Sequence, residues 1–189
     1  MTPATFSPSA QAVEKATRRW LEGAVIGLNL CPFAKGVYAK GQLHLSVSEA
    51  RTAEDLLTQL DLELDALVAS DPAERDTTLL VAPYCLQEFM SFTDFLVLAD
   101  RFLADKGLVG HIQIASFHPR FQFAGTEPDA IGNFTNRAPY PMLHLLREAS
   151  IHRAVEAFGD TERIVEENIR TLERLGAPGW AALDVGPAA

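Results

Sequence analysis

Two histidines and one glutamate carry the side chains best suited to acid–base chemistry. His118 ends an apolar segment and precedes Pro119, whose ring restricts the turn that would aim the imidazole. His144 and Glu148 are four residues apart, so in the helix we expect there they share one face. Either imidazole would serve as general base, with Glu148 orienting the ring and raising its basicity. We therefore predict that the catalytic residues include His118, His144 and Glu148.

The same three residues offer a metal-dependent alternative. Two imidazoles and one carboxylate are the ligands of a facial metal triad, which leaves positions open for a substrate. Other cofactor motifs are missing from the sequence, which has no phosphate loop, GxGxxG, paired CxxC or HExxH. No particular cofactor is therefore indicated. Asn133 begins a match to the glycosylation sequon, which we interpret as a chance match in a protein that is not exported.

A stiff hexapeptide, NRAPYP at 136–141, is a candidate ligand-binding segment. Its two prolines reduce the entropy lost on binding, and Pro141 suits the first turn of a helix whose N–H groups would face an anion. Arg137 would then clamp a carboxylate or phosphate. The alternative is a rigid packing corner, with Tyr140 buried and Arg137 bonded to backbone carbonyls. The predicted ligand-binding residues are Asn136, Arg137, Tyr140 and Arg147.

Cys31 is a candidate nucleophile because it lies at a predicted helix end, directly before Pro32. Catalysis would require a thiolate, and hence a cation or base brought close by folding. The alternative is a small buried apolar side chain. Cys85 is the other cysteine of the chain.

Apolar periodicity predicts helices and strands that alternate along the chain. Strands are predicted at 43–47, 77–83 and 109–117, with helices before, between and after them, one of which covers 141–158. This order favours an α/β fold with a small three-stranded or slightly larger sheet, parallel or mixed, and helices packed on it. A ferredoxin-like α+β arrangement is the alternative. If the strands are parallel, the carboxyl edge that binds ligands in such sheets gathers Ser48, Tyr84, Cys85 and His118.

Length and composition indicate one globular domain, predicted at 9–177, with a disordered start at 1–8 and a flexible tail at 178–189. The absence of a signal sequence and of any run of eighteen apolar residues, together with only two cysteines, favours the cytoplasm and no membrane partner. A net charge of −9 argues against nucleic acid as a partner. Residues 118–153 nevertheless hold four arginines against three acidic residues, a local charge of +1. That favours a small anionic ligand.

The chain resembles an uncharacterised, mainly bacterial family defined only as a domain of unknown function. The motifs that carry the resemblance are LNLCPFA at 28–34, FHP at 117–119, FQFAG at 121–125, NRAPYP at 136–141 and LHLLRE at 143–148. The resemblance covers about 20–175 and implies one intact domain. It implies no activity, cofactor or catalytic residue.

Three functional hypotheses follow from these residues. The leading one is a cytoplasmic enzyme that acts on a small anionic metabolite, a carboxylate or phosphate, by histidine acid–base chemistry with an arginine clamp. The second is a metal-dependent enzyme with a site of two histidines and one carboxylate. The third is a non-catalytic module that binds a ligand or another protein, with apolar anchors at Phe121, Phe123 and Phe134. The sequence does not distinguish an enzyme from a binding protein, and it does not specify an oligomeric state.

Overall fold

A computed structural model describes residues 7–158 and 161–188. The predicted disorder at 1–8 therefore falls largely outside the described residues. The helices are α1 (Ala10–Trp20), continued by a π-helical segment (Leu21–Ile26), α2 (Ala34–Ala39), α3 (Ala53–Ala69), α4 (Phe89–Asp105), a 3₁₀ turn (Ile131–Asn136), α5 (Glu148–Phe158) and α6 (Thr161–Ala182). The strands are β1 (Leu43–Val47), β2 (Thr77–Val81), β3 (Ile112–Phe117) and β4 (Met142–Arg147).

The four strands form one mixed sheet in the order β1-β2-β4-β3. β1 and β2 are parallel, and β4 runs antiparallel to both of its neighbours, β2 and β3. Hence β1, β2 and β3 all point the same way, and their carboxyl ends share one edge. The predicted α/β class with a mixed sheet is confirmed. The ferredoxin-like alternative is not adopted, because the chain order is β-α-β-α-β-β rather than β-α-β-β-α-β.

The predicted helix over 141–158 is wrong in its first third, where the chain forms β4 and only then α5. Leucine, methionine, arginine and glutamate all favour helices, and no clean polar alternation marks the strand. The reason is that both faces of β4 are covered, so neighbouring leucines are buried together. Pairing with strands on both sides outweighs the local helix preference.

Two apolar layers cover the sheet, one on each face. Leu80, Leu143 and Leu145 pack with α3 and α4 on one face. Leu79 and Met142, which alternate with them along the strands, pack with α1 and the π-helical segment on the other. A side chain's position in a strand therefore decides which layer it joins.

The segment at 178–188, for which the sequence predicted a flexible tail, contacts the rest of the described chain. Helix α6 is broken at Gly176, where φ is 65°, and the chain then folds back over α1. Val185 is buried there, and the Ala188 N–H donates to the Tyr140 hydroxyl at 2.8 Å. Within the described ranges, no helix is long and apolar enough to cross a membrane.

Candidate functional site

The side chains expected at the carboxyl edge of β1, β2 and β3 all follow those strands, but β4 lies between β2 and β3 and separates His118 from Ser48 and Tyr84. Ser48 follows β1, and its backbone N–H donates to the Val81 carbonyl at the end of β2. Tyr84 follows β2, donates its hydroxyl to the Pro8 carbonyl at 2.8 Å, and lies beneath the Arg51 guanidinium. His118 follows β3. The topology therefore forms the ligand edge that parallel strands predict.

His118 is fully buried at this edge, with 0% of its surface exposed. Its Nδ1 accepts a hydrogen bond from the Arg120 N–H at 3.0 Å, so Nε2 carries the proton and donates to the Leu86 carbonyl at 3.1 Å. The ring packs against Phe89 and Phe92 of α4 at about 5 Å between centroids. Burial lowers the pKa of the imidazole and keeps it neutral. Both nitrogens, proposed from the sequence for acid–base work, are held by backbone groups.

His144 does not join His118, because the two rings lie on opposite faces of the sheet. His144 alternates with the leucines that face α3 and α4, and its ring lies near Phe117 on the α1 face. Its Nε2 lies 2.7 Å from the Thr77 hydroxyl, which donates to a backbone carbonyl, so Nε2 is the donor to Thr77. Burial lowers the pKa of His144 to about 4.

Glu148 is separated from His144 by extended chain rather than by one helical turn. Four residues of strand span about 13 Å, so the expected pairing of the two side chains is wrong. The metal triad of His118, His144 and Glu148 is not assembled. In residues 7–158 and 161–188, no group of three or more His, Cys, Asp or Glu is placed to hold a metal ion.

The hexapeptide forms the packing corner rather than an open clamp. Tyr140 is buried, Asn136 donates its amide to the Ser116 carbonyl at the edge of β3, and Arg137 donates to the Pro128 carbonyl at 2.6 Å. The Arg137 guanidinium also lies 4.1 Å from the centre of the Phe134 ring. Burial lowers its pKa, and no carboxylate of the described chain forms an ion pair with it.

Arg147 ends β4, whereas Arg137 precedes the start of that strand. β4 alone spans about 17 Å, so the two arginines cannot hold one small ligand. Its guanidinium donates to the carbonyls of Leu67, Ser70 and Arg75. Two of these carbonyls belong to the end of α3, where a cation is favoured by the helix dipole. Arg147 thus caps the carboxyl end of a helix.

Both cysteines have thiols that resist ionisation. Burial raises the pKa of Cys31, although the backbone N–H groups of Phe33 and Ala34 oppose that shift. Burial raises the pKa of Cys85 to about 11. The thiolate that a nucleophile requires is therefore disfavoured at each position.

At the carboxyl edge, a pocket of about 320 Å³ lies between the first turns of α3 and α4. Thr52 caps α3, which carries two acidic residues in its first turn. By contrast, within the described chain no side chain caps α4, and its first turn contains no acidic residue. The lining residues are Arg51, Thr52, Ala53, Cys85, Leu86, Gln87, Glu88 and Ser91.

Leu86 gives this pocket an unusual backbone. Its φ of 56° lies in the left-handed region, which costs a branched residue about 1–3 kcal/mol. The Gln87 side chain spans the same turn by donating to the carbonyls of Pro83 and Cys85. The sequence did not predict this pocket as a whole, because neither a left-handed leucine nor an uncapped helix has a sequence signature. Of the residues that the sequence placed at the ligand edge, Cys85 lines the pocket.

The loop after β3 is held by Asn133, which the sequence marked only as a glycosylation match. Asn133 has 0% exposure and makes four hydrogen bonds within the loop. Its amide nitrogen is therefore unavailable for a glycan. Of the three predicted aromatic anchors, Phe123 is exposed and packs on Phe121, whereas Phe134 packs on Trp180.

These features define an α/β protein with a small pocket of mixed apolar and polar lining at the carboxyl edge of a mixed sheet. The chain belongs to the family described as Protein of unknown function (DUF1415), whose model matches residues 12–182. The resemblance drawn from the sequence motifs is thereby confirmed at the level of the family. Neither the curated proteins nor the solved structures contain a match to the chain.

Proposed function

We propose that the protein binds a small anion, a carboxylate or phosphate, in the pocket between α3 and α4. The observation that carries the proposal is the uncapped start of α4, where Glu88 and Ser91 line this pocket together with Arg51. The first hydrogen bond inside α4 is donated by Phe92 to Glu88, so the N–H groups of Phe89, Met90 and Ser91 have no partner within the helix. An anion would satisfy these donors and the positive end of the helix dipole.

The charges around the pocket favour anion binding at the first turn of α4 rather than at the first turn of α3. The acidic first turn of α3 already compensates its dipole. Glu88, next to the start of α4, is paired with Arg120 at 2.8 Å, which offsets its charge. Arg51 has no such carboxylate partner among the described ion pairs and lies at the pocket wall. A volume of about 320 Å³ suits a metabolite at the small end of the usual range.

The pocket supports binding better than acid–base or covalent catalysis. Cys85, the thiol in its wall, has a pKa of about 11, so it is protonated at neutral pH. His118 lies behind Leu86, with both nitrogens bonded to backbone. We therefore carry forward the small anionic ligand of the leading hypothesis and replace the Arg137 clamp with α4 and Arg51.

A thermal-shift screen over phosphates and small carboxylates at constant ionic strength tests this proposal. A bound anion raises the melting temperature of wild type. Arg51→Ala should weaken binding about fivefold, or ~1 kcal/mol, and so reduce that rise. Arg101→Ala is the matched control, because it removes the same charge from an exposed position near the other end of α4.

The competing site is tested in the same screen with Arg137→Ala. The proposal predicts that this variant responds to each anion as wild type does, apart from a lower baseline melting temperature. Equal responses of wild type and Arg51→Ala to every anion would count against the pocket. A response lost only in Arg137→Ala would move the site to the hexapeptide.

A further inference from the structure

The geometry points to His118 as a positioning residue that holds the Leu86 turn in the shape the anion pocket requires. This inference rests on the proposed anion site and assigns a role to a histidine that does not touch the ligand. Leu86 lines the pocket, and its carbonyl is the acceptor for His118 Nε2. A left-handed leucine persists only where its surroundings hold it. His118 supplies such a constraint.

The imidazole connects two loops that would otherwise be independent. Through Nε2 it holds the loop after β2, and through Nδ1 it holds the Arg120 N–H in the loop after β3. Arg120 in turn donates its guanidinium to the Gln87 carbonyl at 2.7 Å and pairs with Glu88. Three contacts from the β3 loop thus reach three successive residues of the pocket wall, Leu86, Gln87 and Glu88. Those three residues lead directly into the uncapped first turn of α4.

The ring also sets the start of α4 by packing. Phe89 and Phe92 both contact the imidazole, at 5.3 and 5.1 Å between centroids. Phe89 is the first residue of α4, so the same ring that bonds Leu86 lies against the first turn of the helix. A neutral, fully buried imidazole is suited to this task because it offers one donor and one acceptor in a fixed geometry.

Two substitutions test the two hydrogen bonds of His118 one at a time, because each variant keeps one bond and removes the other. His118→Gln places an amide N–H near the position of Nε2 and keeps the donor to Leu86, whereas His118→Asn places a carbonyl near Nδ1 and keeps the acceptor for Arg120. Each variant loses one buried hydrogen bond, so we expect similar losses of melting temperature. A merely structural histidine would affect ligand affinity equally in both variants.

The readout is the Kd for inorganic phosphate, measured by NMR titration of wild type and both variants at constant ionic strength. We expect His118→Gln to stay within about threefold of wild type and His118→Asn to bind at least about tenfold more weakly. Equal affinity of the two variants, or tighter binding by His118→Asn, overturns the inference while leaving the anion site intact. Absence of phosphate binding by wild type overturns both.

A measurement on wild type alone covers the case in which a variant does not fold. Nitrogen-15 NMR of the imidazole should show a neutral ring protonated at Nε2, with a slowly exchanging proton. The chemical shift of that proton should change as phosphate saturates the pocket, because Leu86 both lines the pocket and accepts the hydrogen bond from Nε2. A ring protonated at Nδ1, or an Nε2 proton that is unmoved at saturation, contradicts the positioning role.

Discussion

Removing the Asn133 side chain should cost far more stability than an ordinary loop substitution. Its Oδ1 accepts from the Phe123 N–H at 3.0 Å and from the Thr126 hydroxyl at 2.9 Å. Its Nδ2 donates to the carbonyls of Glu127 and Pro128 at 2.9 and 3.3 Å. The amide is completely buried, so these four bonds are what hold the loop between β3 and β4 in shape.

The expected magnitude follows from which partners keep another bond. Thr126, Glu127 and Pro128 each retain a second hydrogen bond, so their losses are at the low end of the usual range, about 0.5 kcal/mol each. The Phe123 N–H loses its hydrogen bond to Asn133, which costs about 1–3 kcal/mol if the N–H stays buried. We therefore expect Asn133→Ala to lower the free energy of unfolding by about 3 kcal/mol.

Equilibrium urea unfolding measures this loss, with Asn168→Ala as the matched control. Asn168 donates one bond, to the Leu30 carbonyl, and lies inside α6, where alanine favours the helix. The control should therefore lose less than about 1 kcal/mol. The reasoning is refuted if Asn133→Ala loses no more than Asn168→Ala while the dependence of unfolding on urea concentration stays the same.

Further predictions concern ionisation and helix capping. The pKa of His144 falls from 6.5 to about 4 on folding, so the unfolded state binds more protons than the folded state between these pH values. The free energy of unfolding therefore rises with pH across that window, by on the order of 3 kcal/mol. His144→Gln should flatten this rise in urea unfolding curves measured from pH 4 to 7. Arg147→Ala leaves the carbonyls at the end of α3 without their donor and should lower the free energy of unfolding by about 2–4 kcal/mol. The control Arg101→Ala should lower it by less than about 0.5 kcal/mol. Equal unfolding midpoints of the two variants would contradict the capping role of Arg147. Cys85 should react with iodoacetamide at pH 8 at least about tenfold more slowly in the folded protein than in urea, because burial raises its pKa to about 11. Cys31 should also react more slowly in the folded protein, because burial raises its pKa. Fast labelling of folded Cys31 would restore it as a nucleophile.

The sequence predicted the parallel part of the sheet well because its signals are local. Leu43, Leu45 and Val47 alternate with polar residues, and an unbroken apolar run marks β2, so both strands were found close to their true bounds. The shared carboxyl edge then followed from topology alone. β4 was missed because it lies between β2 and β3, and long-range pairing leaves no mark on a helix-favouring sequence.

The candidate site was only partly predictable for the same reason. Arg137, Arg147 and His118 were singled out by residue type, and residue type does not reveal that each one bonds to backbone carbonyls. The packing-corner alternative for the hexapeptide, with Tyr140 buried, is the arrangement that forms. The uncapped start of α4 and the left-handed Leu86 depend on tertiary structure, so no reading of one sequence could have placed them.

The central claim is that an anion binds at the start of α4, and a map of backbone amide shifts tests it most directly. Inorganic phosphate is titrated into nitrogen-15-labelled wild type at constant ionic strength and pH. We predict that the largest saturable shifts fall on the amides of Phe89, Met90 and Ser91, with smaller ones at Leu86. Shifts centred instead on Arg137 and its neighbours, or no saturable shift in any part of the chain, would contradict the account.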